Sequence, residues 1–511
     1  MPIVQADDIS GKTFDYIIVG TAGLVVAARL SEDPNVSVLV LEAGPANIDD
    51  ALLCRPASIG ATFGQEQYDW SFKTVPQTHS NNKEYFWFSG RTLGGSSAVN
   101  FFAWNKPPAD HIDDLERLGN PGWNWANLQK YIARAEGFVP PTPEEIKEHE
   151  LIGAENWKLR EKGPIDLAIP KRFLSGDLDA VHTVLNAGIP RAAAPLAGLS
   201  FAPSTINPVT FSRSFATTGY WLPNQNRHNL SLIVNATATK IITEGESPSL
   251  EATGVQFVIK GANNVHKVVH AGKEVILSAG SIKTPHLLEL SGIGDEKILD
   301  KVGIPVKIDL PGVGENVQEH CIISITFELR DDVSYEIFDV LPDPARAAKE
   351  LKLYTSLPKI PWRSLPLTHT TLRKTSVRGP SLQFSWRAML ASEADLRTFV
   401  VDVKFIRKLP TLSPHKEVIV KEINPSPTVT TDEQIGDWIK NYMSTTFHTA
   451  GSASMPPKDK DGVVDPRLKV YGTSNLRVVD LSVVPLLFTA HSQSVVYELA
   501  KQAAAIIKGE I

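Results

Sequence analysis

The stretch Phe14-Asp15-Tyr16-Ile17-Ile18-Val19-Gly20-Thr21-Ala22-Gly23, continuing to Val38-Leu39-Val40-Leu41-Glu42, reads as a strand, a glycine turn, a helix and a second strand ending in an acid. Leu24, Val25, Ala28 and Leu30 recur at helical spacing and predict the helix face that meets the sheet. This βαβ pattern binds adenine dinucleotides, with the pyrophosphate at the helix start and the acid on the ribose hydroxyls. Glu42, 22 residues after Gly20, stands where that acid is needed. The full fingerprint has three glycines, for the turn, the pyrophosphate and helix packing. Here two remain, Gly20 and Gly23.

A chain of 511 residues exceeds the size at which one core keeps growing, so two connected lobes are expected. The net charge of -6, from 51 basic and 57 acidic residues, argues against nucleic acid as a partner. No apolar run reaches the roughly 18 residues of a membrane helix. The start, Met1-Pro2-Ile3-Val4-Gln5-Ala6-Asp7-Asp8, lacks the basic and apolar segments of an export signal, which favours an intracellular protein. Cys54 and Cys321 have neither metal-ligand nor disulfide-framework spacing and read as core residues.

Further along, alternating apolar residues predict a strand from Asn229 to Ile242, and Gly254–Val258 with Val265–Val269 a hairpin. Lys273–Gly280 reads as a buried strand ending at a ligand-facing turn. A helical run follows the turn cluster at residues 119–125 and extends to about Glu136. Residues 331–445 are the least patterned and are expected to face the substrate. Order returns with a strand at Leu476–Asp480 and a helix from about Ser492 to Lys508.

Two loops carry chemistry. Gly94-Gly95-Ser96-Ser97, between Arg91 and Asn100, offers backbone N–H groups and hydroxyls suited to a phosphate or a flavin edge. A lone Gly-Gly-Ser-Ser is more often a solvent loop, but Phe86, Trp87, Phe88, Phe101, Phe102 and Trp104 flank this one and are costly to leave in water. His448 and His491 each lie among small residues that let a ligand approach. Imidazole is suited to proton abstraction near neutral pH, although either histidine alone would more often be structural. His491 precedes a helix N-terminus, which favours an anion, and Asp480 could accept a hydroxyl or simply form a turn.

Four separated segments together resemble the glucose-methanol-choline (GMC) oxidoreductases, especially the fungal aryl-alcohol oxidase and dehydrogenase branch. They are the N-terminal βαβ with Glu42, Gly90–Asn100, Ser278–Gly294 and the block from His448 to Ile507. Leu310–His320 is a further match. The resemblance implies an α/β (α+β) fold: a Rossmann-like FAD-binding lobe, interleaved with a substrate-binding lobe on an antiparallel sheet. Residues 14–150, 226–325 and 446–511 would form the first lobe, and 151–225 and 326–445 the second.

It further implies FAD with its adenosine end on Gly20, Thr21, Ala22, Gly23 and Glu42, and with Ala238 at the adenine. The flavin end would meet Arg91, Leu93, Gly94, Ser96, Asn100, Asp480, Leu481, Ser492 and Gln493. Some relatives carry a histidine that bonds covalently to flavin; Val99-Asn100 stands there, so FAD is expected to be non-covalent. His448 would take the hydroxyl proton of a small alcohol while hydride leaves for flavin N5, and His491 would hydrogen-bond the same oxygen. Oxygen or another acceptor would then reoxidise the flavin. No metal, nucleic acid or membrane enters this scheme, and a place in fungal secondary metabolism would suit it.

Relative to the family the chain departs in three places. The Gly20–Gly23 turn is two residues short, which would rotate the helix face by about 200° or shift its start. Residues from about Leu365 to Phe399 lack the usual strand and polar turn, and Ser89 replaces a common arginine. Three other readings stay open: a member that no longer binds FAD, a nicotinamide-dependent dehydrogenase, and a flavin-retaining lyase that cleaves cyanohydrins without redox change.

Overall fold

The computed structural model describes residues 3–20, 23–151, 162–169, 176–192, 198–199, 201–262, 265–333, 390 and 392–511. Seven strands form the main sheet: β1 (Thr13–Val19), β2 (Val38–Leu41), β3 (Leu230–Ile233), β4 (Ala236–Glu244), β5 (Glu251–Ile259), β6 (His266–Leu277) and β7 (Leu476–Val478). Their order is β3-β2-β1-β6-β5-β4, with β7 also on β6. β3, β2, β1, β6 and β7 pair in parallel, whereas β5 and β4 run antiparallel. Ile17, Ile18, Val38, Leu39 and Val40 are fully buried, as expected of parallel strands covered on both faces.

The strand expected from Asn229 to Ile242 is two strands. Asn235 breaks it with φ +56°, a left-handed conformation that asparagine tolerates. β3 pairs with β2, while β4 begins with the Ala236 N–H on the Glu42 carbonyl (2.8 Å) and then pairs with β5. Conversely, the hairpin arm at Val265–Val269 and the buried strand at Lys273–Leu277 are one strand, β6. Between Phe14 and Tyr16 β1 advances two residues while β6 advances three, from Ala271 to Glu274. The extra residue is taken up as a bulge.

Three helices complete this lobe: α1 (Leu24–Leu30), α2 (Gly280–Leu290) and α3 (Gln493–Ile507). Leu24, Val25, Ala28 and Leu30 of α1 are buried as expected, and so are Val26 and Ala27. Their outer cover is α3 and the turn at Thr217–Trp221, both packed on α1. That turn lies within the stretch assigned to the substrate-facing lobe, yet Tyr220 and Trp221 belong to the main-sheet core. The helix after residue 124 ends at Ile132, and Glu136–Val139 instead forms a strand parallel to Ile165–Ala168.

Beyond β6, Cys321–Ile322 pairs antiparallel with Ser444–Thr445, and Thr326–Leu329 with Ile419–Asn424. Helices Glu393–Ile406 and Asp432–Tyr442 pack on each other in this region. Residues 365–389 of the departing segment lie outside the described residues. Both cysteines are free and half-buried. No described helix is long and apolar enough to cross a membrane.

Candidate active site

A cavity of about 1850 Å³ opens at the carboxyl ends of β1, β2, β6 and β7, where open α/β sheets bind ligands. Gly20, Glu42, Gly94, Ser96, Asn100, Ala238, His448, Asp480, Leu481, His491, Ser492 and Gln493 line it. Three other expected residues do not. Gly23 packs against Ile18, Leu93 is fully buried in the core, and Arg91 lies over the Trp70 ring at 4.7 Å. Thr21 and Ala22 lie outside the described residues.

The glycine requirement is visible at Gly20. Its φ is +92°, and a Cβ there would overlap the Ser278 carbonyl at the end of β6. Glu42 is buried, with Oε1 accepting from the Gly44 N–H at 2.6 Å. Asp480 is also buried, but its carboxylate already accepts from Gly280 N, Thr284 Oγ1, Ser482 N and Ser482 Oγ. Burial raises its pKa against those bonds. With four acceptor sites filled, Asp480 serves to tie β7 to the start of α2 rather than to offer an open acceptor.

At the opposite end, Asn100 Nδ2 donates to Gln493 Oε1, and Gln493 Nε2 is a buried donor with no partner among the described residues. Behind Asn100 lies Arg213, which the sequence reading missed. Its guanidinium donates to Asn100 Oδ1 (2.7 Å) and the Leu53 carbonyl (2.8 Å), and sits 3.7 Å from the Phe102 ring centre. Burial without a carboxylate lowers its pKa to about 9, leaving it charged at neutral pH. An arginine inside Phe211-Ser212-Arg213-Ser214-Phe215 was the available signal.

His448 and His491 come together with ring centres 5.0 Å apart. A third histidine, His320, joins them, its Nδ1 3.0 Å from His448 Nδ1. Thr446 Oγ1 lies 3.0 Å from the same nitrogen. Beneath the pair, half-buried Glu319 accepts from His448 N (2.7 Å), His320 N (2.8 Å) and Thr449 Oγ1 (2.9 Å). Burial pushes its carboxyl up to about 7 even though these hydrogen bonds pull it down. Glu319-His320 ends the matched stretch from Leu310, so an adjacent acid and histidine were there to be noticed.

Phenylalanines wall the space beside these imidazoles. Phe63 lies 4.2 Å from Phe88, 6.0 Å from Phe101 and 5.6 Å from Phe447, centre to centre. Phe447 meets Phe63 and Phe88 edge-on, an arrangement aromatic pairs favour. Apolar walls with a few convergent polar groups suit a small organic ligand.

Comparison with known proteins identifies the family. Residues 14–322 match the N-terminal and residues 373–500 the C-terminal part of the GMC oxidoreductases. The chain belongs to that family. It is 32% identical to the GMC oxidoreductase family protein Mala s 12 of Malassezia sympodialis, over 98% of this chain and 93% of the relative. Dehydrogenase mpl7 of Monascus purpureus is 37% identical over 69% of this chain and 57% of its own length. Among solved structures, an FAD-dependent oxidoreductase from Chaetomium thermophilum superposes with a TM-score of 0.86 at 25% identity, covering 97% of this chain and 99% of that one.

Proposed function

We propose that this chain binds FAD non-covalently and oxidises a small, apolar, ring-bearing alcohol to the carbonyl. One observation carries the reading: a single cavity holds Gly20 and Glu42 at one end and three clustered imidazoles beside a phenylalanine wall at the other. The residues present suit the cofactor. Gly20 leaves its approach open, Glu42 supplies an acid for ribose hydroxyls, and Gln493 Nε2 is a buried donor awaiting an acceptor. Residues 14–150, 226–325 and 446–511 would form the cofactor lobe, with 213–224 added on the packing of Tyr220 and Trp221.

FAD, when bound, supplies the hydride acceptor. His448 takes the hydroxyl proton of the substrate, and His491 donates to or accepts from the same oxygen as it gains alkoxide character. His320 and Thr446 engage His448 Nδ1 and hold its ring, while Glu319 fixes the backbone of both histidines. Phe63, Phe88, Phe101 and Phe447 exclude water and seat the apolar body of the alcohol.

The test is spectroscopic. Purified protein should show flavin absorption, release FAD on acid denaturation and bleach anaerobically with a benzyl-type alcohol. His448→Ala should keep the flavin and slow its reduction about a hundredfold or more. A colourless protein that FAD cannot reconstitute overturns the reading; turnover without bleaching selects the lyase alternative.

A further inference from the structure

Two cations lie close to the Trp70 ring: Arg91 Cζ is 4.7 Å and Lys283 Nζ 4.8 Å from the ring centre. Phe72 stacks nearly parallel to Trp70 at 6.0 Å and is 5.5 Å from Lys283 Nζ. Lys283 is half-buried and, among the described residues, forms no ion pair; its polar neighbour is His286 Nδ1 at 3.5 Å. Among the described residues the Arg91 side chain pairs with Glu66 at 3.5 Å, an acid that is 76% exposed and also held by Lys260 at 3.0 Å. Two partly desolvated cations therefore face one small region, an arrangement that like-charge repulsion disfavours unless an anion enters.

The position of this pair identifies the anion. Lys283 lies in the first turn of α2, which starts just past the Ser278 carbonyl that backs Gly20. The Arg91 backbone packs on Gly44, whose N–H is bonded to Glu42. Lys283 and Trp70 line the cavity that Gly20 and Glu42 also line. A dinucleotide reaching from Glu42 past Gly20 carries its two phosphate charges through this stretch. Lys283 and Arg397 are the only Lys or Arg residues lining the cavity among the described residues, and Arg397 is paired with Glu393.

We propose that Lys283, which lines the cavity, with Arg91 beside Trp70, neutralises the pyrophosphate of bound FAD, supplying charge where the two-residue-shorter Gly20–Gly23 turn supplies fewer backbone N–H groups. This rests on the FAD reading above. Trp70 helps keep both cations in place: its ring attracts them and offsets part of their repulsion.

The full-length chain, stripped of flavin, is titrated with FAD by fluorescence, and with ADP and adenosine as competitors. Lys283→Met should raise the FAD and ADP dissociation constants about tenfold at low salt, flatten their salt dependence, and leave adenosine unchanged. Lys283→Arg should restore most of the affinity and confirm a folded scaffold. If the wild-type chain binds FAD and Lys283→Met matches its affinity and salt dependence, the proposal fails. It fails equally if FAD weakens but ADP does not, or if adenosine weakens as much as ADP. A wild-type chain that takes up no FAD overturns instead the function proposed above, and this inference with it.

Discussion

His320 Nδ1 lies 3.0 Å from His448 Nδ1 with the two rings at 87°, and the backbone N–H groups of both residues donate to Glu319 Oε1. Two ring nitrogens at that distance share one proton, so the tautomer of one histidine dictates that of the other. On the proposed mechanism His320 would act through His448, as a positioning residue.

Replacing His320 with Ala should lower the rate of flavin reduction about tenfold or more and shift its pH dependence, with flavin content unchanged. His320→Gln, which restores one hydrogen-bonding group, should recover part of the rate. Stopped-flow reduction between pH 6 and pH 9 checks both; an unaltered pH profile would show that the pair carries no proton.

Glu319 predicts a pH effect on stability. Its carboxyl rises from the ordinary 4.5 to about 7 in the folded chain, chiefly through burial. The folded state therefore holds a proton that the unfolded state has lost between those values. Stability from this group is fully present below pH 4.5 and declines as pH rises through 7, by roughly 3 kcal/mol in all. Glu319→Gln, permanently neutral, should flatten that part of the curve in urea denaturation at pH 5 and pH 8.

Arg213 backs Asn100 in the cavity wall. Arg213→Met removes the donors to Asn100 Oδ1, which keeps the Phe102 N–H, and to the Leu53 carbonyl, and should cost about 2–4 kcal/mol. Arg213→Lys keeps charge but not the fork of donors, so it should recover less than half of the loss. Chemical denaturation of the purified chains measures both.

Phe63 sits among Phe88, Phe101 and Phe447. Phe63→Ala should raise KM for benzyl-type alcohols about tenfold, in line with about 1.4 kcal/mol of lost aromatic contact, while kcat changes little. Steady-state kinetics with ring-bearing and short aliphatic alcohols separate this from a general loss of activity.

Local pattern made the βαβ unit and the histidine loops legible, because apolar spacing, glycine and the terminal acid sit within about thirty residues of one another. It misplaced elements where one residue alters the path. Asn235 turns one expected strand into two, and a bulge joins two expected strands into β6. Arg213, Glu319 and Lys283 were not singled out because their meaning arises at a distance: Arg213 meets Asn100 and Leu53, Glu319 meets His448, and Lys283 meets Trp70. The missing acid partner of a buried cation is invisible until the chain is folded.

The sheet has a consequence for synthesis on the ribosome. β6 must wait for β7, some two hundred residues later, to cover its free edge, and α1 waits for α3 at residues 493–507. Until those segments emerge, the nascent chain carries an open strand edge and an uncovered apolar helix, both sticky surfaces. During translation these two surfaces therefore stay open to other chains until the closing helix arrives. A stop codon before residue 476 should give insoluble product instead of a smaller enzyme.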